Sequence, residues 1–287
     1  YFRSIIIMTI RIFKDATAVI TGAATGIGKA LAIELSNRGC TVVLTDRQIA
    51  LAEEVAAEIV KKGGDAWARE LDVCDYDLMQ TIVDEAVSKT GRLDYMFNNA
   101  GIGIGGFADE YEISDWNTTI DVNLRGVTNG VQACYRTMVA QGFGHIVNTA
   151  SMAGLVPTAS QIAYSTTKFA VSGLTQALRV EAEMKGVRVS ALCPGAIDTP
   201  LLTGGVYGRL PKGITREKAA AYWAKLKPMP VEEFAVEALD KVAKNVPLII
   251  VPGWWRGMYW MYRLSWGLWF KNAKKDLGRV MRMTKRK

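Results

Sequence analysis

The chain has 287 residues and a mass of 31.4 kDa, is 49% hydrophobic and 22% charged, and holds 27 glycines, a balance that excludes a disordered polypeptide or a disulfide-stapled miniprotein. Its four cysteines (Cys40, Cys74, Cys134, Cys193) form no CxxC or Cys/His cluster and His145 is the only histidine, so no metal is expected, two-histidine mechanisms are excluded and a reduced, cytoplasmic setting is the default. The formal net charge is +7, of which residues 253–287 supply +9 (ten Lys/Arg against Asp276), leaving −2 for the body; a nucleic-acid-binding body is disfavoured.

The seven residues ahead of Met8 are expected to lie upstream of a start there, and their apolar stretch, short and broken by Arg11, fits neither a signal peptide nor a membrane span. From residue 16 the chain alternates. Strands are predicted at 16–21, 41–45, 66–71, 93–97, 144–150, 187–193 and 247–251. Helices are predicted between them at 27–38, 48–62, 76–90, 115–141 and 162–185. Runs such as Thr41-Val42-Val43-Leu44 are apolar on both faces, which suits an α/β fold with a parallel sheet covered on both sides. No repeat or Pro-rich linker divides residues 13–252, so one domain is expected there, after an N-terminal segment at 1–12. Residues 199–230 break the rhythm and read as a lid or an insertion at the sheet's carboxyl edge.

The first strand runs into Gly22-Ala23-Ala24-Thr25-Gly26-Ile27-Gly28 and then a helix. Such glycines let the backbone turn sharply and approach a ligand, and the helix N-terminus offers free N–H groups to a phosphate. Asp46 ends the second strand, about 20 residues on, where a carboxylate can accept hydrogen bonds from an adenosine ribose. The same carboxylate repels a 2′-phosphate and the glycine turn carries no cation, which favours NAD over NADP. Arg47, beside it, keeps NADP open.

Gly22-x3-Gly26-x-Gly28, Asp72, Asn98-Asn99-Ala100-Gly101, Asn123, Ser151, Tyr164-x3-Lys168 and Pro194-Gly195 occur in that order. With them the chain resembles the short-chain dehydrogenase/reductase family over about residues 13–252. The resemblance implies a Rossmann-like doubly wound sheet of seven parallel strands and nicotinamide-dependent alcohol/carbonyl chemistry. It makes Tyr164 the acid/base, with Lys168 lowering its pKa and holding the nicotinamide ribose. It also implies that Asn123 helps hold a water linked to that lysine. Thr25 and Ile27 belong to the implied phosphate turn, and Asp72 and Val73 to the adenine edge. Asn99, Ala100 and Gly101 approach the adenosine, while Pro194, Gly195, Ile197 and Thr199 meet the nicotinamide.

The residues support parts of this independently. Tyr164 and Lys168 are four apart on a predicted helix and share a face. An ammonium near a phenol, whose pKa is ordinarily ~10, favours the phenolate. Ser151 ends the fifth strand, where its hydroxyl can orient a substrate oxygen. It is not a hydrolase nucleophile, because Thr149-Ala150-Ser151-Met152-Ala153 is no G-x-S-x-G elbow and His145 is expected to be structural.

The expected substrate walls are Met152, Leu155, Val156, Ile162, Leu201, Leu202 and Val206, with Tyr207, Tyr222 and Trp223 from the lid. No arginine stands among the walls, so a hydrophobic secondary alcohol or ketone is expected rather than a sugar phosphate. In the tail, 254–270 is aromatic-rich and 271–287 basic. Helical spacing sets Lys271, Lys274, Lys275 and Arg282 on one side and Leu277, Val280 and Met281 on another. Two readings stay open: peripheral contact with an anionic membrane, or packing on the body or a neighbouring subunit. A homodimer or homotetramer through the fifth and sixth helices is implied by the resemblance, and no nucleic-acid partner is expected. The alternative functions are an NADPH-dependent carbonyl reductase or a non-catalytic, membrane-associated cofactor-binding scaffold.

Overall fold

The computed structural model describes residues 9–284, so the reading of the residues ahead of Met8 and the last three residues of the basic tail lie outside it. Seven parallel strands form one sheet in the order β3-β2-β1-β4-β5-β6-β7. They are β1 (Thr17–Thr21), β2 (Thr41–Asp46), β3 (Asp65–Glu70), β4 (Tyr95–Asn98), β5 (Gly144–Thr149), β6 (Val187–Pro194) and β7 (Leu248–Val251). Every residue of β1, β4 and β5 is buried, as the two-sided apolar runs require.

Between the strands run α1 (Gly26–Asn37), α2 (Ile49–Lys61), α3 (Tyr76–Thr90), α4 (Ile113–Ile120), α5 (Gly126–Gln141), α6 (Ile162–Glu183), α7 (Arg216–Ala224) and α8 (Val231–Ala243). One core layer joins Ile20 and Leu44 to Leu31 and Leu35 of α1 and Phe234 and Leu239 of α8. The opposite layer packs Val19 and Met96 against Met79, Ile82 and Val83 of α3 and Met138 of α5. Because β1 sits between β2 and β4, successive connections diverge at the β1–β4 boundary and open a crevice at the strands' carboxyl ends. In such sheets this is where ligands bind.

The structure departs from the predicted elements in three places, the first being α7, which forms within 199–230 where no helix was predicted. Helix α8 was absent from them, although Phe234, Ala235, Ala238, Leu239 and Val242 recur at helical spacing and are all buried. The predicted helix 115–141 is divided: α4 ends at Ile120 and a π turn at Asp121–Arg125 precedes α5. The turn's extra residue rolls Asn123 inward until it is fully buried.

His145 is structural. It is fully buried in β5, its Nε2 lies 2.8 Å from Ser190 Oγ, and Ser190 in turn donates to the Val246 carbonyl at 2.8 Å. Burial, aided by Arg188 and Arg179, lowers its pKa from 6.5 to about 3. In that window the unfolded chain binds a proton that the folded one does not, so stability falls as pH falls below 6.5. The expected slope is about 1.4 kcal/mol per pH unit. Denaturant melts between pH 6.5, the group's ordinary value, and about 5, above the ordinary carboxylate range, should show that slope in the wild type. It should be flattened in His145→Gln, whatever that variant loses overall.

Candidate active site

The glycine turn is built for close approach. Gly22 and Gly26 have φ of 65° and 53°, and a Cβ on Gly22 would stand 2.8 Å from the Ala100 Cα. Thr25, the N-cap of α1, makes no side-chain capping bond, and no acid occupies the helix's first turn. The first N–H groups of α1 therefore remain for an anion, and Thr25, Gly26 and Ile27 line the cleft. These features fit the pyrophosphate of a dinucleotide. Gly28 is placed differently: it does not line the cleft, and its missing side chain lets α1 pack on the turn. A Cβ there would lie 2.0 Å from the Gly22 carbonyl oxygen and 2.7 Å from Asn99 Nδ2.

At the end of the cleft lined by the second strand, Asp46 anchors the loop that it faces. Its Oδ2 accepts the Ala24 N–H at 3.1 Å and its Oδ1 the Gln48 N–H at 2.9 Å, while the residue still lines the cleft with Arg47, Asp72 and Val73. The Arg47 guanidinium is engaged: its Nε is 3.6 Å from Asp72 Oδ2 and its Cζ stands 4.8 Å from the centre of the Tyr207 ring. Asn99, Ala100 and Gly101 also line the cleft. Asn99 spends its side chain on the scaffold, its Nδ2 donating to the carbonyls of Thr21 at 3.1 Å and Gly22 at 3.3 Å.

The reactive end is set by α6. Tyr164, Lys168 and Ser151 line one continuous cleft with Pro194, Gly195, Ile197 and Thr199. Ser151 caps a short 3-10 turn over Met152–Gly154, its Oγ accepting the Ala153 N–H at 3.1 Å. That turn is clamped to α6, because Ser165 Oγ donates to the Ala153 carbonyl at 2.6 Å and a Cβ on Gly154 would lie 2.3 Å from the Lys168 carbonyl oxygen. The clamp sets the Ser151 hydroxyl beside the Tyr164 phenol on the cleft wall. Burial raises the phenol's pKa and the neighbouring Ser151 hydroxyl opposes the rise.

Lys168 is buried, its Nζ donates to the Thr149 carbonyl at 2.7 Å, and burial lowers its pKa from 10.5 to about 8. The ammonium lies 5.6 Å from the centre of the Tyr164 ring. Its contact here is thus with β5, and burial is the largest influence on the phenol. Asn123 stands behind the cleft. Its Oδ1 accepts the Ile102 N–H at 2.8 Å, and its Nδ2 donates to the Ile102 carbonyl at 2.9 Å and to Thr167 Oγ1 at 3.3 Å. Ala150 and Cys193 are buried close by, and burial pushes the Cys193 thiol up to about 12, so it stays neutral beside the lysine.

The chain folds, therefore, as a doubly wound sheet with an uncapped glycine turn and a Ser-Tyr-Lys cluster on one cleft, and the family model described as short chain dehydrogenase matches residues 16–205. The chain belongs to the short-chain dehydrogenase/reductase family. It is an NAD(P)-dependent oxidoreductase of the alcohol dehydrogenase type. It is 40% identical over 191 residues to a cyclohexanol dehydrogenase of Acinetobacter sp. (strain SE19), covering 66% of this chain and 76% of that one. An uncharacterized oxidoreductase of Staphylococcus saprophyticus is 34% identical over 229 residues, 79% of this chain and 92% of the other. A short chain dehydrogenase/reductase from Burkholderia phymatum, solved in complex with NAD, superposes with a TM-score of 0.80 at 27% identity, covering 90% of this chain and 96% of that one.

Beyond the cofactor crevice this dehydrogenase has a large cavity, about 840 Å³ in all with the crevice. Met152, Val156, Leu201, Leu202 and Val206 line it, as do Tyr207, Tyr222 and Trp223. Leu155 and Ile162 do not. Leu155 faces inward and joins the buried core with Val127 and Val171, while Ile162 begins α6 outside the cavity wall. Each lining arginine has a carboxylate partner: Arg47 with Asp72, Arg209 with Asp115 at 2.6 Å, and Arg279 with Asp276 at 3.4 Å. The cavity is left largely apolar.

The tail supplies the wall that the sequence reading left undecided. It folds as two helices, α9 (Trp255–Leu264) and α10 (Trp266–Met283), packed on the body. Trp269 is buried with Met152, Val156, Cys193 and Ile250, and Trp255 stacks so closely on Gly195 that a Cβ there would lie 2.1 Å from its Nε1. Trp269, Ala273, Leu277 and Val280 line the cavity at helical spacing. The 199–230 segment is fastened to this roof by Tyr222, whose hydroxyl donates to Asp276 Oδ2 at 2.9 Å. It is fastened to the floor by a backbone exchange, Gly105 N–H to the Arg209 carbonyl at 2.7 Å and Arg209 N–H to the Gly103 carbonyl at 2.9 Å. The stripe of apolar residues in 269–280 was the available signal, but nothing in sequence fixes what a terminal helix packs against.

Proposed function

We propose that this dehydrogenase interconverts a bulky, apolar secondary alcohol and its ketone with NAD(H), Tyr164 serving as general acid/base. The carrying observation is that Ser151, Tyr164 and Lys168 stand together on one cleft, at the junction between the glycine-turn crevice and the apolar cavity. In alcohol oxidation the Tyr164 phenol oxygen takes the hydroxyl proton of the substrate, and in ketone reduction it returns it. Ser151 holds the substrate oxygen against the phenol. Lys168 lies beneath as the cation that favours the phenolate once a second acceptor draws it from Thr149. Asn123 fixes the Ile102 backbone and, through Thr167, the helix that carries the pair. A nicotinamide dinucleotide, when bound, supplies the hydride acceptor or donor, with Gly22, Thr25, Gly26 and Ile27 around its phosphates and Pro194, Gly195, Ile197 and Thr199 around its nicotinamide.

The cyclohexanol dehydrogenase relative and the paired arginines support a cyclic, uncharged substrate. The same reading treats 13–252 as one catalytic domain with 199–230 as its lid. It places self-association on the outer faces of α5 and α6, where Val180 and Met184 are exposed. A panel of secondary alcohols running from cyclohexanol to steroid size, assayed with NAD, tests the activity. Turnover that rises with apolar bulk is expected, and absence of turnover by folded, NAD-binding protein overturns the proposal.

Cofactor choice rests on Asp46, whose charge would repel a 2′-phosphate brought to this end of the cleft, while Arg47 is held by Asp72 and Tyr207. Asp46→Asn removes that charge. Its NAD-over-NADP affinity ratio should fall by about tenfold or more, the equivalent of ~1.4 kcal/mol, in paired titrations of the two cofactors. An unchanged ratio would remove Asp46 as the discriminating group.

A further inference from the structure

The tail has a second face, which the cavity does not use. In α9 the residues turned outward are Arg256, Trp260, Arg263 and Leu264, an i, i+4, i+7, i+8 stripe, while Met258, Tyr259 and Tyr262 pack on the body. The corner between the helices leaves Leu264 81%, Trp266 63% and Leu268 49% exposed, and Trp260 is 56% exposed. Along α10 the outward ridge continues as Leu268, Lys271, Lys274 and Arg282. Among the described residues none of these cations has a carboxylate partner, and Asp276, the tail's sole acid, is engaged by Tyr222 and Arg279.

We propose that this outer face docks on an anionic lipid bilayer, with the Leu264–Leu268 corner entering the headgroup region. Large aromatic and aliphatic side chains flanked by unpaired lysines and arginines match an interface with an apolar interior and a negatively charged surface. A second copy of the chain is a poor occupant, because a two-fold contact would set the patch against itself, cation against cation. The patch does not span the membrane: no described helix is long and apolar enough to cross one. Helix α10 would then lie between the bilayer and the substrate cavity, with Trp269 and Val280 on one side and Lys271 and Lys274 on the other. The inference is independent of the alcohol reaction, since it rests on the face that the cavity does not use.

The test is flotation of the full chain, loaded with NAD, on two kinds of vesicle: phosphatidylcholine alone, and phosphatidylcholine with a quarter phosphatidylglycerol. Binding is expected to the anionic vesicles, with little to the neutral ones. It should weaken as salt rises beyond about 0.1 M, where charges are screened over ~10 Å. Lys271→Glu/Lys274→Glu and, separately, Trp260→Ser/Trp266→Ser should each lower the bound fraction about tenfold or more, with turnover of a water-soluble alcohol unchanged. Equal flotation on both vesicle types, or flotation indifferent to both double variants, overturns the proposal. So does conversion of an oligomer to a smaller species by the Trp260→Ser/Trp266→Ser variant in sedimentation, or binding to duplex DNA without binding to vesicles. Loss of turnover in the wild type with flotation intact would count against the alcohol reaction and leave the membrane face standing.

Discussion

Tyr164→Phe is expected to lower kcat for alcohol oxidation by roughly 10²–10⁴-fold, the range typical of losing a positioned acid/base, while NAD affinity changes little. The phenol oxygen is the only part removed, and the ring's packing on α6 is kept. Three features of the site say the loss falls on the chemical step. Ser151 is clamped by its 3-10 turn, so it remains in place when its phenolic partner goes. Lys168 keeps its bond to the Thr149 carbonyl. The bonds that hold the glycine turn to Asp46, from the Ala24 and Gln48 N–H groups, do not involve Tyr164. A variant that keeps near-wild-type turnover would remove Tyr164 from the reaction and, with it, the role assigned to Ser151 beside it.

Gly28→Ala should be strongly damaging for the addition of a single methyl group. Its Cβ would stand 2.0 Å from the Gly22 carbonyl oxygen and 2.7 Å from Asn99 Nδ2, and the first of these is backbone with no side-chain freedom to yield. Either α1 moves outward or the turn opens. Overpacking of this kind costs about 1–3 kcal/mol, and because the displaced element is the phosphate-facing helix end, NAD affinity should fall about tenfold or more as well. Denaturant melts and NAD titration of the same protein separate the two effects. A variant with wild-type values in both would show that α1 and β1 do not need the approach seen here.

How much of this was legible in the sequence follows from what each signal encodes. The sheet was readable because β1, β2 and β5 are buried on both faces, and strands so placed must be apolar throughout. The cleft residues were readable because a glycine turn, a Tyr-x3-Lys pair and a strand-ending serine each carry their chemistry in local spacing. Gly28 shows the limit of that reading: its place in the motif predicted a ligand contact, while its actual neighbours are Gly22 and Asn99, 77 residues away from one another. Asn123 was legible only through the family resemblance, because the π turn that rolls it inward has no sequence signature of its own. Leu155 and Ile162 were misplaced because an apolar residue near a pocket serves the core and the cavity equally well. The tail was the largest gap. Its helices and their amphipathic stripes could be read from spacing, whereas the choice between body and membrane depends on a groove formed by Met152, Val156, Cys193 and Ile250 from three distant parts of the chain.

The most direct test of the central claim follows one hydrogen. The protein is mixed with NAD and cyclohexanol deuterated at the carbinol carbon, and the reduced cofactor is analysed by mass spectrometry. Direct hydride transfer, with Tyr164 handling only the hydroxyl proton, predicts deuterium on the nicotinamide ring, slower turnover than with the undeuterated alcohol, and no such product from Tyr164→Phe on the same timescale. Reduced cofactor free of deuterium, with the label in water, would contradict it.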